Sequence, residues 1–140
     1  MTAVEVIHNF TVSADTLWEL IGDFGDMDKW STGGGSCVVE GDGIGALRTV
    51  TTADGRVIIE RLEAETELSY SYSIVSSPLP VESYEATLAL VRTGKNSCQL
   101  QWSSRFEPKK VTEEQAVAYI EKIYGWGIGM MKETLANSKS

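Results

Sequence analysis

Between residues 36 and 107 the chain breaks into six short apolar-patterned segments separated by turn signals, and nothing else in it limits the fold as strongly. The breaks are Gly41-Asp42-Gly43, Asp54-Gly55, Glu65-Thr66-Glu67, Pro78-Leu79-Pro80 and Gly94-Lys95-Asn96. Between them the chain is rich in β-branched and aromatic residues, which predicts strands near 36–40, 46–52, 56–64, 69–76, 83–93 and 97–107. Turns this tight join antiparallel neighbours, because a parallel crossover needs about a dozen residues or more. The six strands must therefore form one antiparallel meander.

The flanks complete the order. Residues 3–12 read as a further strand, with Val4, Val6, His8 and Phe10 on one face. Ser13 is placed as an N-cap, with Asp15 in the first turn and Leu17, Trp18, Leu20 and Ile21 as an apolar stripe ending at Gly22. A second short helix is expected over 24–30, ended by Gly33-Gly34-Gly35. After Pro108, Thr112 with Glu113 and Glu114 opens a helix running to about 136, beyond which the Lys/Ser tail frays. No Pro/Ser-rich linker, repeat or low-complexity block divides the chain, so 1–140 is one domain of class α+β, ordered β-α-α-β6-α. That order implies one seven-stranded curved antiparallel sheet with its helices on one side.

Alternation then assigns side chains to the helix-facing surface. Tyr70, Tyr72 and Ile74 share that phase, as do Tyr84, Ala86, Leu88 and Leu90, and Leu100, Trp102, Ser104 and Phe106. The strand over 56–64 stands out, because Glu60 lies in phase with Ile58 and Leu62. A carboxylate turned into an apolar concavity costs several kcal/mol unless it is paired, hydrated or protonated. Arg48 on the neighbouring strand can answer it if Arg48, Val50 and Thr52 point inward, although Leu47, Thr49 and Thr51 form an equally regular inward phase.

On the long helix, Ala116, Tyr119, Ile120, Ile123, Gly127, Met130, Met131 and Thr134 fall on one face, with Gly127 in the middle. Gly125 and Gly129 fall on the other. The run YGWGIGM is not a phosphate loop, since such a loop follows a strand and precedes a helix, and here a helix leads into it. Gly127 either permits close packing on the sheet or, with Met130 and Met131, borders a cavity.

Charge and residue counts exclude several functions. With 20 acidic against 12 basic residues the net charge is -8, which disfavours nucleic acid and anionic membrane surfaces as partners. No apolar run approaches the roughly 20 residues of a membrane span, and MTAVEVIHNF lacks a signal peptide's basic start and apolar block, so a cytoplasmic location is expected. With one histidine, His8, and two distant cysteines, Cys37 and Cys98, a transition-metal site would have to be built almost wholly from carboxylates, and a Ser-His-Asp or Cys-His mechanism would have to use His8, which has no nucleophile motif near it. No metal or cofactor is expected, and the cysteines read as reduced thiols.

Several segments resemble the helix-grip fold of the START / Bet v 1-like (SRPBCC) superfamily, in particular its polyketide cyclase/dehydrase and lipid-transport family. These are the strand-to-helix entry VSADTLWELIGDF, the Gly45-x-x-Arg48-x-Val50 strand, the segment Glu60-Arg61-Leu62-Glu63 and the run SYSIVSSPLPVESYEATLAL. The resemblance implies a long C-terminal helix gripped by the sheet around a ligand cavity. The last two segments are also similar to the plant abscisic-acid receptors, where the counterpart of Glu60 holds the ligand's polar end through water and those of Tyr84 and Ala86 line the wall. The receptors' gate is replaced here by Thr51-Thr52-Ala53-Asp54-Gly55 and their latch by Leu79-Pro80-Val81, and Ser31 stands near the place of their anchoring lysine. These departures argue against hormone sensing by a closing gate.

Three functions follow. The first is binding or transport of a small hydrophobic or amphipathic ligand, lipid-, polyketide- or aromatic-like. Ile58, Leu62, Tyr70, Tyr72, Tyr84, Ala86, Leu88, Trp102, Phe106, Tyr119, Ile123, Gly127 and Met130 would wall the cavity, and Glu60 with Arg48 would orient the polar end. The second is a cyclase or dehydratase using Glu60 as acid or base, with Tyr72 or Tyr84 stabilising an enolate and His8 at the rim. The third is an interaction module in which an exposed Trp30, with Pro78 and Pro80, forms an entrance or partner surface. Such a chain is expected as a monomer or weak homodimer.

Overall fold

The expected meander is present, and the N-terminal strand closes it at the far edge. The computed structural model describes residues 2–30 and 35–138. Its strands are β1 (Thr2–Phe10), β2 (Ser36–Glu40), β3 (Leu47–Thr51), β4 (Val57–Thr66), β5 (Ser69–Ser76), β6 (Val81–Gly94) and β7 (Ser97–Pro108). They form one seven-stranded sheet in the order β1-β7-β6-β5-β4-β3-β2, every neighbour antiparallel. Register shifts interrupt the β4–β5 ladder at Ile59/Glu60 and Leu62/Ala64, and the β6–β7 ladder at Glu82/Glu85 and Arg92/Gly94. An extra residue bends its strand and raises the local twist, so these irregularities curl the sheet into a trough.

Helix α1 (Ala14–Ile21) starts where Ser13 caps it, the Ser13 Oγ accepting from the Thr16 N–H at 3.1 Å. It ends at Gly22, where any Cβ would lie 2.5 Å from the Trp18 indole, so a larger residue would have to displace that ring. Leu17 and Ile21 are fully buried as α1 packs over β6 and β7. Helix α2 (Glu113–Ser138) opens with a reciprocal cap: the Gln115 N–H donates to Thr112 Oγ1 at 3.1 Å and the Thr112 N–H to Gln115 Oε1 at 3.0 Å. It runs along β1 and β7, which leaves the β3–β5 half of the concave face farther from any helix.

The second short helix is reduced to a single 3₁₀ turn over Met27–Lys29. The Asp23 side chain accepts from the Gly25 N–H at 3.0 Å and holds that segment in a local turn, and Asp26 makes no capping bond to start a longer helix. Trp30, expected on an exposed helix, is 1% exposed and packs against Trp102. Of the glycine run meant to end that helix, Gly33 and Gly34 lie outside the described residues, as do Ser31, Lys139 and Ser140.

Candidate functional site

The choice between the two phases of β3 is settled by its neighbour. Arg48 is directly opposite Glu60 in the β3–β4 register and both side chains turn inward. The Arg48 Nε donates to Glu60 Oε1 at 2.7 Å, and Nη1 donates to the Phe24 carbonyl at 3.0 Å and to the Tyr70 hydroxyl at 3.3 Å. The guanidinium lies 4.2 Å from the centre of the Phe24 ring and 5.0 Å from that of Tyr72, so aromatic faces meet what the carboxylate does not. Arg48 is 3% exposed and Glu60 9%. Burial alone would weaken the guanidinium's hold on its proton, but Tyr70 and Glu60 more than offset it, and its affinity ends above the ordinary value. Thus the two charges survive in the core because each answers the other.

Next to this pair lies an aromatic cluster. Tyr84 and Tyr124 hydrogen-bond through their hydroxyls, and the Trp102 indole N–H donates to the Tyr72 hydroxyl at 3.1 Å. The Trp102 ring stacks on Tyr124 with centroids 4.2 Å apart and planes 11° from parallel. Burial pushes the Tyr72 and Tyr84 phenols well above their ordinary range and Tyr124 up to about 12. All three therefore stay protonated and able to donate.

Between this wall and α2 lies an open cavity of about 750 Å³. Of the fifteen residues expected to line it, eleven do: Arg48, Ile58, Glu60, Tyr70, Tyr72, Tyr84, Trp102, Tyr119, Ile123, Gly127 and Met130. The other four, Leu62, Ala86, Leu88 and Phe106, are buried but do not line it; Phe106 stacks on Tyr84, and the Leu62 backbone is bonded to that of Ala46. His8 stands outside the cavity, in edge contact with Phe10. Burial, then nearby Lys132, lowers its proton affinity.

Gly127 resolves toward packing. A Cβ there would come within 2.9 Å of the Trp102 ring and 3.5 Å of Trp30, so the space beneath it is filled by indoles while its backbone still borders the cavity. Around Gly125 and Gly129 a Cβ would meet nothing within 4 Å.

Several residues of the site were not expected. Phe24 carries Arg48 on its ring, Trp30 and Cys37 line the cavity, and Tyr124 joins the cluster from α2. Tyr124 was legible as the fourth residue after Ile120, itself four after Ala116, whereas nothing in the local pattern marked Trp30 as buried. The Trp30 Nε1 is sealed with no partner among the described residues. The cavity opens beside the β3–β4 turn, where Ala53, Asp54 and Arg56 are exposed opposite Lys122 and Trp126 of α2. Across this mouth Arg56 Nη1 donates to the Tyr119 hydroxyl.

Comparison with known proteins agrees with this architecture. The sequence model of the family described as polyketide cyclase / dehydrase and lipid transport matches residues 1–136. The structure of the protein XoxI from Bacillus cereus is similar, at 29% identity and a TM-score of 0.90 over 100% of this chain and 99% of that one. An uncharacterized protein from Bacillus thuringiensis gives 29% and 0.85 over 94% and 97%. The crystal structure of Ara h 8.0201 shares the fold at 19% identity and a TM-score of 0.74, over 96% and 97%. No curated protein matches the sequence.

Proposed function

The chain belongs to the polyketide cyclase/dehydrase and lipid-transport family, and on that premise we propose that it binds and carries a small hydrophobic or amphipathic ligand in the cavity between sheet and α2. The observation that carries this reading is the cavity of about 750 Å³, walled by aromatic and aliphatic side chains around one buried ion pair. A hollow of that size, mostly apolar with a few convergent polar groups, is the usual form of a small-molecule site. The unpaired cysteines suit a cytoplasmic carrier. Native mass spectrometry of protein purified from its own host, with a neutral naphthylamine dye titrated in parallel, tests the reading. We expect a retained small molecule or saturable dye binding, and in Ile58→Trp, which pushes an indole from β4 into the cavity, dye affinity lower by about tenfold or more. Unchanged dye binding in a folded Ile58→Trp would sink it.

A cyclase- or dehydratase-type reaction in the same cavity is the second reading. It is favoured by the protonated phenols of Tyr72 and Tyr84 beside the cavity, which suit stabilisation of an enolate. Glu60, bonded to Arg48 through one oxygen, would act through the other. Turnover of the retained molecule that disappears in Glu60→Gln supports this reading, and binding without turnover supports the carrier.

A further inference from the structure

The Arg48–Glu60 pair is only half used by the protein. Nε and Nη1 of Arg48 and Oε1 of Glu60 are bonded, whereas Arg48 Nη2 and Glu60 Oε2 have no hydrogen-bond partner among the described residues. Neither atom is sealed in the way that Trp30 Nε1 is, so both remain open to the cavity that their residues line. A free donor and a free acceptor therefore stand together on a pair whose net charge is zero. The rest of the lining repeats this balance: Arg56 and Lys122 at the mouth are matched by Asp28 and Asp54.

We infer that the cavity selects an uncharged ligand whose polar end both accepts and donates, a hydroxyl or a carboxamide, and that it discriminates against carboxylates and amines. This rests on the carrier reading and refines it. A hydroxyl or carboxamide can accept from Arg48 Nη2 while donating to Glu60 Oε2. A carboxylate would leave Glu60 facing a second anion, and an ammonium would leave Arg48 facing a second cation. Either would enter the cavity without a counter-charge, because the pair has already neutralised itself.

Four matched probes separate the outcomes: naphthamide, naphthoate, naphthylmethylamine and methylnaphthalene, titrated calorimetrically at neutral pH. Wild-type protein should bind naphthamide tightest, by about tenfold over both charged probes. In Glu60→Gln the guanidinium loses its counter-charge, and naphthoate should become the tightest ligand. Naphthoate or naphthylmethylamine binding tightest to wild-type protein, or four equal affinities, would overturn the inference and leave the carrier reading intact. An order unchanged in folded Glu60→Gln would overturn it as well. If none of the four binds while the dye or a retained molecule does, this inference falls and the carrier reading stands; if those fail as well, both fall.

Discussion

Arg48 and Glu60 hold each other's charge where neither could persist alone, which makes single and double substitutions behave differently. Glu60→Leu leaves a guanidinium 3% exposed with no counter-charge and should cost about 3–5 kcal/mol in urea unfolding. Arg48→Met combined with Glu60→Leu removes both charges and should recover most of that loss. If the double variant is no more stable than the single one, the two residues are not coupled. This pairing also shows where reading by strand phase stops. Glu60 was legible because Ile58 and Leu62 fix its direction, but in β3 each phase holds a single aliphatic residue and local pattern cannot choose. The choice is made across the ladder, by the carboxylate opposite.

At the scale of the element, the three glycines of α2 separate by surroundings. Gly125→Ala and Gly129→Ala add a methyl to open space and should each stabilise the protein by about 0.5–1 kcal/mol, the gain of alanine over glycine in a helix. Gly127→Ala drives a methyl into the Trp102 ring and disturbs its stacking on Tyr124, so overpacking of about 1–3 kcal/mol outweighs the helical gain. Thermal melts of the three variants check the ordering. The inward stripe of α2 was legible from periodicity, yet its buried face is broader than the sequence pattern suggested. Tyr124 and Ile128 are buried beside Ile120 and Met131, because α2 lies in a trough whose walls touch more than one narrow face. The 3₁₀ turn was misread as a helix for the opposite reason: over so few residues, an Asp23 side chain turned back on the backbone outweighs apolar spacing.

For the molecule as a whole, the strand order was legible because tight turns leave an antiparallel meander little choice, and the trough follows from bulges that no turn signal marks. The hollow was not legible, since residues that line a void and residues that fill a core have the same chemistry; Phe106 and Trp102 share a strand face and differ in just this respect. The buried phenols give the whole fold an alkaline limit. Tyr72, Tyr84 and Tyr124 keep their protons in the folded state above the ordinary value near 10, mainly through burial. Above pH 10 the unfolded chain therefore binds fewer protons than the folded one, and stability must fall as pH rises. Each withheld ionisation lowers it by about 1.4 kcal/mol per pH unit. Urea midpoints should drop steadily from pH 10 toward about 12. Midpoints that stay level across that range would contradict this.

Cys37 gives the cavity a signal of its own. Its thiol stands on the wall, half-buried, while Cys98 is sealed. A maleimide that enters the empty cavity can reach one sulfur and not the other, slowly, because burial raises the thiol's proton affinity. A bound guest blocks the same approach. Alkylation rate at this single atom thereby counts how much of the protein is loaded, with no dye and no mutation.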